Sequence, residues 1–122
     1  SWGSGNAIRE FLHADDLAEA SFHIMNIDND QFQNFMQSNS IYHLNVGSGY
    51  ETSIRDLCLL LKEITNFQGK ILFDKNMPDG AHIKTLNSKL INSLNWDAKI
   101  PFKEGLTQAC DWFKKNYPNI RK

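Results

Sequence analysis

Five residues with functional side chains lie in loops or beside predicted strand ends: Trp2, Arg9, Asp79, His82 and Lys84. The guanidinium of Arg9 could bind a phosphate through two hydrogen bonds, and the ammonium of Lys84 could add a point charge. Trp2 offers an apolar face and one N–H donor. On residue types alone, a packed tryptophan with two solvated cations is the commoner outcome, and an anion-binding site is the functional alternative.

The glycine pairs and the paired acids of the chain favour structural roles. Gly3-Ser4-Gly5 and Gly47-Ser48-Gly49 are typical of turns, because neither has the spacing of a dinucleotide-binding loop. The adjacent acids Asp15 and Asp16 suit an N-cap and a favourable charge at the start of a helix. Neither motif therefore predicts catalysis.

The histidines and cysteines predict neither a metal site nor a disulfide framework. None of the four histidines has the His-x-x-x-His spacing with carboxylate support of a zinc site. Cys58 and Cys110 lie far apart, each on the apolar face of a predicted helix, and are interpreted as small buried side chains. A reducing compartment fits this interpretation.

Short strands alternate with helices along the chain, which indicates an α/β fold. Strands are predicted at 9–13, 41–46 and 70–74. Helices are predicted after 15–16, after 52–53, within 86–94 and between 101 and 118. The polar stretch 28–40 is expected to be a surface excursion with one helical turn, and 77–80 is expected to be a turn.

Length and charge are those of one globular domain over residues 1–122. The 122 residues are 41% hydrophobic with a formal net charge of -1, which argues against a general nucleic-acid binder. No apolar run approaches the roughly 20 residues of a membrane span, and no signal peptide is predicted. The chain begins without Met in a glycine-bearing stretch, so we expect a piece of a larger protein.

The N-terminal residues carry the most specific pattern. Trp-Gly-Ser-Gly at 2–5 and Arg-Glu-Phe-Leu-His-Ala-Asp-Asp-Leu-Ala at 9–18 resemble a segment of GDP-L-fucose synthases, which are extended short-chain dehydrogenases/reductases. His-Leu-Asn-Val-Gly-Ser-Gly at 43–49 and Pro-Asp-Gly…Lys at 78–84 agree with that family in order and spacing. So do Leu-Asn-Trp, Gly-Leu and Trp-Phe within 94–113. The resemblance spans essentially the whole chain but only the C-terminal third of such an enzyme.

The resemblance implies a small C-terminal substrate-binding lobe without its Rossmann domain. In this family the N-terminal Rossmann domain binds NADPH and carries the catalytic Ser, the Tyr-x-x-x-Lys pair, and the Cys and His of epimerisation. No tyrosine of this chain is followed by Lys four residues later, and neither cysteine matches the epimerisation position. We therefore expect no catalytic residue and no bound cofactor in this chain.

The family's substrate contacts fall on Trp2, Arg9 and Lys84, and also on Asp79. By resemblance, Arg9 and Lys84 would hold the diphosphate of a GDP-sugar, and Trp2 would form a wall for the sugar or base. Ile83 departs from the pattern, because many relatives have Arg there. This departure bears on the choice of nucleotide or sugar.

The intact protein is expected to convert GDP-4-keto-6-deoxy-mannose to GDP-L-fucose by epimerisation and NADPH-dependent reduction, as a cytoplasmic homodimer without nucleic-acid or membrane partners. The chain alone is expected to be inactive, to bind substrate weakly and to expose apolar surface where the Rossmann domain packs. Three alternatives remain: a lobe of another nucleotide-sugar epimerase, dehydratase or reductase, a free-standing nucleotide-binding module, or a structural domain without a ligand.

Overall fold

The computed structural model describes residues 1–118, in which short strands alternate with helices as an α/β fold requires. The elements are β1 (Ile8–Glu10), α1 (Ala14–Met25), α2 (Asn29–Ser38), β2 (Glu51–Ser53), α3 (Ile54–Thr65), β3 (Ile83–Lys84), α4 (Lys89–Asn92) and α5 (Phe102–Asn116). The predicted fold class is confirmed. The first strand is shorter than predicted and begins one residue earlier.

A three-stranded sheet has β1 at its centre, antiparallel to β2 and parallel to β3. Arg9 on β1 lies opposite Thr52 on β2 and Lys84 on β3. Residues paired across neighbouring strands place their side chains on the same face of the sheet. The register therefore puts Arg9 and Lys84 on one face, although they are far apart in sequence.

Helix α3 has the strongest amphipathic pattern and packs against α5. The sequence predicts either Thr52 or Ser53 as its N-cap, and the cap is Ser53, whose hydroxyl accepts a hydrogen bond from the Asp56 N–H at 3.0 Å. Cys58 on α3 and Cys110 on α5 are free thiols. Both are half-buried, so they are more accessible than predicted.

Helix α1 is not capped by either of its paired acids, so that prediction is wrong. The cap is His13, whose Nδ1 accepts from the Asp15 N–H at 3.2 Å. Asp16 is 2% exposed, and its carboxylate accepts from the backbone N–H groups of Lys99 and Ile100, both at 3.1 Å. Asp16 therefore joins the start of α1 to the segment before α5.

The polar stretch after α1 contains more helix than predicted. Asp28 accepts from the N–H groups of Asp30 and Gln31, which starts the ten-residue helix α2. Phe32, Phe35 and Met36 lie at i, i+3 and i+4 and are half-buried. One good cap and one apolar stripe are enough to overcome the low helix propensity of the asparagines.

The predicted strand at 41–46 is wrong, because a strand needs a neighbour. In the part of the chain that the structure describes, no backbone hydrogen bond joins 42–46 to another strand. The predicted strand at 70–74 is reduced to one parallel bridge between Trp2 and Asp74. Both segments are therefore loops that lie outside the three-stranded sheet.

The hydrophobic core is small and centres on Ala20, Ile91 and Trp96. Leu12, Ile24, Val46 and Ala98 pack against it. Many large apolar side chains remain exposed, including Phe22 and Met25 on α1. Across residues 1–118, no helix combines the length and apolar character needed to cross a membrane.

Candidate functional site

The N-terminal loop lies along residues 72–74 and presents Trp2 to solvent. The α-amino group of Ser1 donates to the Leu72 carbonyl at 2.8 Å, and the Gly3 N–H donates to the Asp74 carbonyl at 2.9 Å. These contacts fix the backbone on both sides of Trp2, whose side chain is 73% exposed. A backbone fixed in this way presents the indole to solvent, where it can stack against a ligand.

Asp79 holds the same loop from the other side. Its carboxylate accepts from the Ser4 N–H at 2.5 Å and from the Ser4 hydroxyl at 2.8 Å. These hydrogen bonds hold the pKa of Asp79 below its ordinary value of 3.8. A Cβ on Gly3 would overlap Asp79 Oδ1, and φ is +78° there, so glycine is required at this turn. Asp79 thus organises the loop that carries Trp2.

Asp79→Asn is expected to destabilise the loop in a pH-dependent way, because an amide can accept from only one of the two Ser4 donors. A lowered pKa in the folded state means that the carboxylate's contribution is complete above its ordinary value of 3.8. The contribution is then lost as pH falls through the lowered pKa. Thermal unfolding of both proteins between pH 2.5 and 7 should show a difference that shrinks only below about pH 4. A difference that is constant with pH would contradict this role.

Arg9 is fixed by two backbone carbonyls at one end of its guanidinium. Nη1 donates to the Ile8 carbonyl at 2.6 Å and to the Ala81 carbonyl at 2.9 Å. A guanidinium has five N–H donors, so Nε and Nη2 keep three for another partner. An added Cβ on Gly80 would lie 3.8 Å from Nη2, so the glycine turn borders this edge. The Nε–Nη2 edge has the geometry for a bidentate contact with a phosphate.

Lys84 stands beside Arg9 on the neighbouring strand, about 4.8 Å away between backbones. Among the described residues, neither cation forms a salt bridge with a carboxylate. Two adjacent cations repel each other unless an anion lies between them. The pair is therefore a suitable site for a phosphate or diphosphate.

The remaining predicted residue, His82, contributes through its backbone. Its carbonyl accepts from the Ile8 N–H at 2.8 Å, which starts the pairing of β1 with β3. Its side chain is exposed, and its electrostatic interaction with Asp79 makes a minor contribution to the lowered pKa of that carboxyl. His82 thus belongs with the residues that hold the site together.

Two residues that the sequence did not single out support the site. Glu10 accepts from the Gly49 N–H at 2.7 Å and from the Leu86 N–H at 2.8 Å. Arg55 donates to the Ser4 carbonyl at 2.5 Å and lies 4.2 Å above the Phe73 ring. Both partners of Glu10 are distant in sequence, so no local pattern could have revealed its role.

Neither Gly-Ser-Gly loop is a phosphate cradle. An added Cβ on Gly3 would overlap an Asp79 carboxylate oxygen, and one on Gly47 would overlap a Glu10 carboxylate oxygen. A carboxylate packed against such a loop disfavours a phosphate there. These two loops therefore do not suit a phosphate. Among the described residues, no group of three or more His, Cys, Asp or Glu side chains could hold a metal ion.

A model of the NAD dependent epimerase/dehydratase family matches residues 1–47. The putative GDP-L-fucose synthase 2 of Arabidopsis thaliana is 44% identical over 94% of the chain, which covers 32% of that protein. The GDP-L-fucose synthase of Escherichia coli K12 is 35% identical over 98% of the chain, which covers 37% of it. A GDP-L-fucose synthetase from Naegleria fowleri, solved with bound NADP, matches the whole fold with a TM-score of 0.80 at 25% identity. That match covers 99% of the chain and 36% of the solved structure.

The chain spans about a third of the length of the curated relatives that it matches. Its similarity extends over the whole chain, and the fold corresponds to the C-terminal lobe of these larger proteins. The sequence resemblance to the GDP-L-fucose synthases is thus confirmed. The chain is similar to the C-terminal third of GDP-L-fucose synthases, and its residues 1–47 match the NAD dependent epimerase/dehydratase family, in keeping with the extended short-chain dehydrogenase/reductase superfamily.

Proposed function

We propose that the chain is the GDP-sugar-binding lobe of a longer enzyme that converts GDP-4-keto-6-deoxy-mannose to GDP-L-fucose. The observation that carries this proposal is the adjacent pair Arg9 and Lys84, which has no carboxylate partner among residues 1–118. A nucleoside diphosphate sugar carries two negative charges at its diphosphate. The similarity to GDP-L-fucose synthases supports guanosine as the nucleoside and the keto-sugar as the substrate.

Each site residue contacts a different part of the proposed substrate. Arg9 binds one phosphate through its Nε–Nη2 edge, and Lys84 neutralises the other. Trp2 forms an exposed apolar wall for the sugar or the base. Asp79 holds the Trp2 loop through Ser4, and its remaining lone pairs can accept from a sugar hydroxyl.

The reacting groups belong to the part of the protein outside this chain. NADPH would supply the hydride that reduces the 4-keto group, and the family resemblance assigns its binding to the N-terminal Rossmann domain. The chain also lacks the Tyr-x-x-x-Lys pair of the family. We therefore propose that residues 1–122 form one substrate-binding domain, inactive on its own, that completes a site on an N-terminal Rossmann domain.

An apolar groove supports the docking of that domain. The groove encloses about 410 Å³ between α1, α2 and the unpaired segment 42–46. Tyr42 in this segment is 98% exposed, and Met25 on α1 is also exposed. Exposed apolar surface of this kind is typical of a domain interface. From the family resemblance, we also propose that the full-length protein is a cytoplasmic homodimer.

A second candidate function is the same lobe in another nucleotide-sugar epimerase, dehydratase or reductase. Ile83 favours this candidate, because it places an exposed aliphatic side chain beside Lys84 where many relatives have Arg. Ile83 precedes Lys84 on β3, so its side chain lies on the face opposite to Arg9 and Lys84 and leaves that cation pair unchanged. The two candidates share the phosphate site and differ in the sugar or base.

Isothermal titration of the full-length protein distinguishes these candidates. GDP-mannose and GDP-L-fucose are expected to bind with micromolar affinity, about −8 kcal/mol, while UDP-glucose binds at least tenfold more weakly. Preference for UDP-glucose would favour the second candidate. Absence of heat with every nucleotide sugar would overturn the nucleotide-binding role itself.

A further inference from the structure

We propose that Glu10 is a positioning residue for the cation pair Arg9 and Lys84, an inference that rests on the proposed function. Each oxygen of its carboxylate accepts one backbone hydrogen bond: Oε1 from Gly49 at 2.7 Å, and Oε2 from Leu86 at 2.8 Å. These partners lie 39 and 76 residues away in sequence. One side chain thus joins the central strand β1 to the 47–49 loop and to the segment that follows Lys84.

Glu10 acts from behind the face that would bind the anion. Successive side chains on a strand point to opposite faces, so Glu10 points away from the face of Arg9. Its negative charge is therefore kept off the phosphate while its hydrogen bonds hold the backbone. Asp or Glu on the same face as the cations would instead compete with the ligand.

The position of Lys84 depends on contacts at both ends of a strand of two residues. On the N-terminal side, the Ile8 N–H donates to the His82 carbonyl at 2.8 Å. On the C-terminal side, the Leu86 N–H donates to Glu10. A strand this short has few ladder hydrogen bonds of its own. Loss of the Glu10 contact would remove the hydrogen bond that anchors Leu86, two residues beyond Lys84.

The 47–49 loop is packed closely around the Glu10 carboxylate. A Cβ on Gly47 would overlap Glu10 Oε1 and would lie 2.9 Å from Ser88 Oγ. The loop backbone therefore lies directly against the carboxylate on its Oε1 side. This packing and the two hydrogen bonds together favour one conformation of the side chain, which is what a positioning role requires.

The test compares Glu10→Gln with Glu51→Gln in the full-length protein. Glu51 is a matched control, because it lies directly opposite Glu10 on β2 and is exposed. In Glu10→Gln the amide NH₂ meets one of the two backbone N–H donors, so one hydrogen bond is lost without a change of size. We expect KM for the GDP-sugar to rise about tenfold with kcat within about twofold, while the Kd for NADPH and the Glu51→Gln values stay unchanged.

The outcomes separate the inference from the function on which it rests. If the unchanged protein does not bind GDP-sugars, both fail, and this is visible before any variant is compared. If Arg9→Ala weakens binding but Glu10→Gln matches Glu51→Gln, the function stands and the positioning role is overturned. If Glu10→Gln lowers kcat, NADPH affinity and thermal midpoint together with the KM effect, Glu10 is a general structural residue and the inference is also overturned.

Discussion

Arg9→Ala in the full-length protein is expected to raise the Kd for a GDP-sugar about 10- to 150-fold. The substitution removes the charge-assisted contact that the Nε–Nη2 edge offers to a phosphate, and a net loss of about 1.5–3 kcal/mol corresponds to this range. Because Nη1 is held by the Ile8 and Ala81 carbonyls, the guanidinium is oriented before the ligand arrives. Little side-chain entropy is then lost on binding, which favours the upper part of the range.

Kinetics and control variants show whether the loss of affinity in Arg9→Ala comes from the phosphate site. The diphosphate is remote from the reacting carbons, so KM should rise while kcat changes little. Arg9→Lys keeps the charge but loses the bidentate Nε–Nη2 edge, so an intermediate Kd is expected. Lys84→Ala should weaken binding about tenfold as the loss of one point charge, and the exposed Lys70→Ala should have no effect. Unchanged binding in both Arg9→Ala and Lys84→Ala would contradict the assignment.

Asp16→Ala is expected to have the largest effect on stability, about 2–4 kcal/mol. The carboxylate is 2% exposed and accepts from the backbone N–H groups of Lys99 and Ile100. Without it, two part-buried backbone donors lose their acceptor, at a cost of about 1–3 kcal/mol each with partial recovery through water. Denaturant unfolding followed by tryptophan fluorescence is suited to this measurement, because buried Trp96 lies in the adjoining core.

Asp15→Ala is the matched control for this stability effect. Asp15 is the neighbouring acid in the same helical turn, but its side chain is 81% exposed. Its expected contribution is limited to the helix dipole and the exposed His13 contact, about 0.3–1 kcal/mol. Equal destabilisation by the two substitutions would show that the buried hydrogen bonds of Asp16 are not responsible.

The elements that the sequence predicted well are those whose signal is local. The apolar stripe of α3 and a cap at residue 52 or 53 occur within one continuous segment, and both are confirmed, with Ser53 as the cap. The paired acids show the limit of such reasoning. Asp15 and Asp16 look equivalent as helix-start residues, but only Asp16 reaches the backbone at 99–100. A contact over more than eighty residues leaves no local trace in the sequence.

The strand predicted at 41–46 is wrong for the same reason: strand pairing is a long-range contact that local sequence does not record. Its apolar residues have the composition of a strand, but pairing needs a neighbour that the described residues do not supply. Composition records that the segment is apolar and does not say which surface covers it. In the structure, this segment instead lines the apolar groove beside α1 and α2.

For the candidate site, the family resemblance selected the residues and the structure supplied their arrangement. Arg9 and Lys84 are neighbours because β1 pairs in parallel with β3, a pairing that spacing cannot reveal. The resemblance also selected Asp79, whose hydrogen bonds to Ser4 show a role in holding the Trp2 loop. Glu10 and Arg55 were missed, because their importance lies entirely in distant backbone partners.

The product of the reaction tests the central claim most directly. The full-length protein, incubated with GDP-4-keto-6-deoxy-mannose and NADPH, is expected to oxidise one NADPH for each GDP-L-fucose formed. Absorbance at the NADPH band and chromatography of the nucleotide sugars measure the two quantities together. Formation of GDP-L-fucose that falls sharply in Arg9→Ala at low substrate is the expected result. No NADPH oxidation with this substrate, together with turnover of a different nucleotide sugar, would contradict the account.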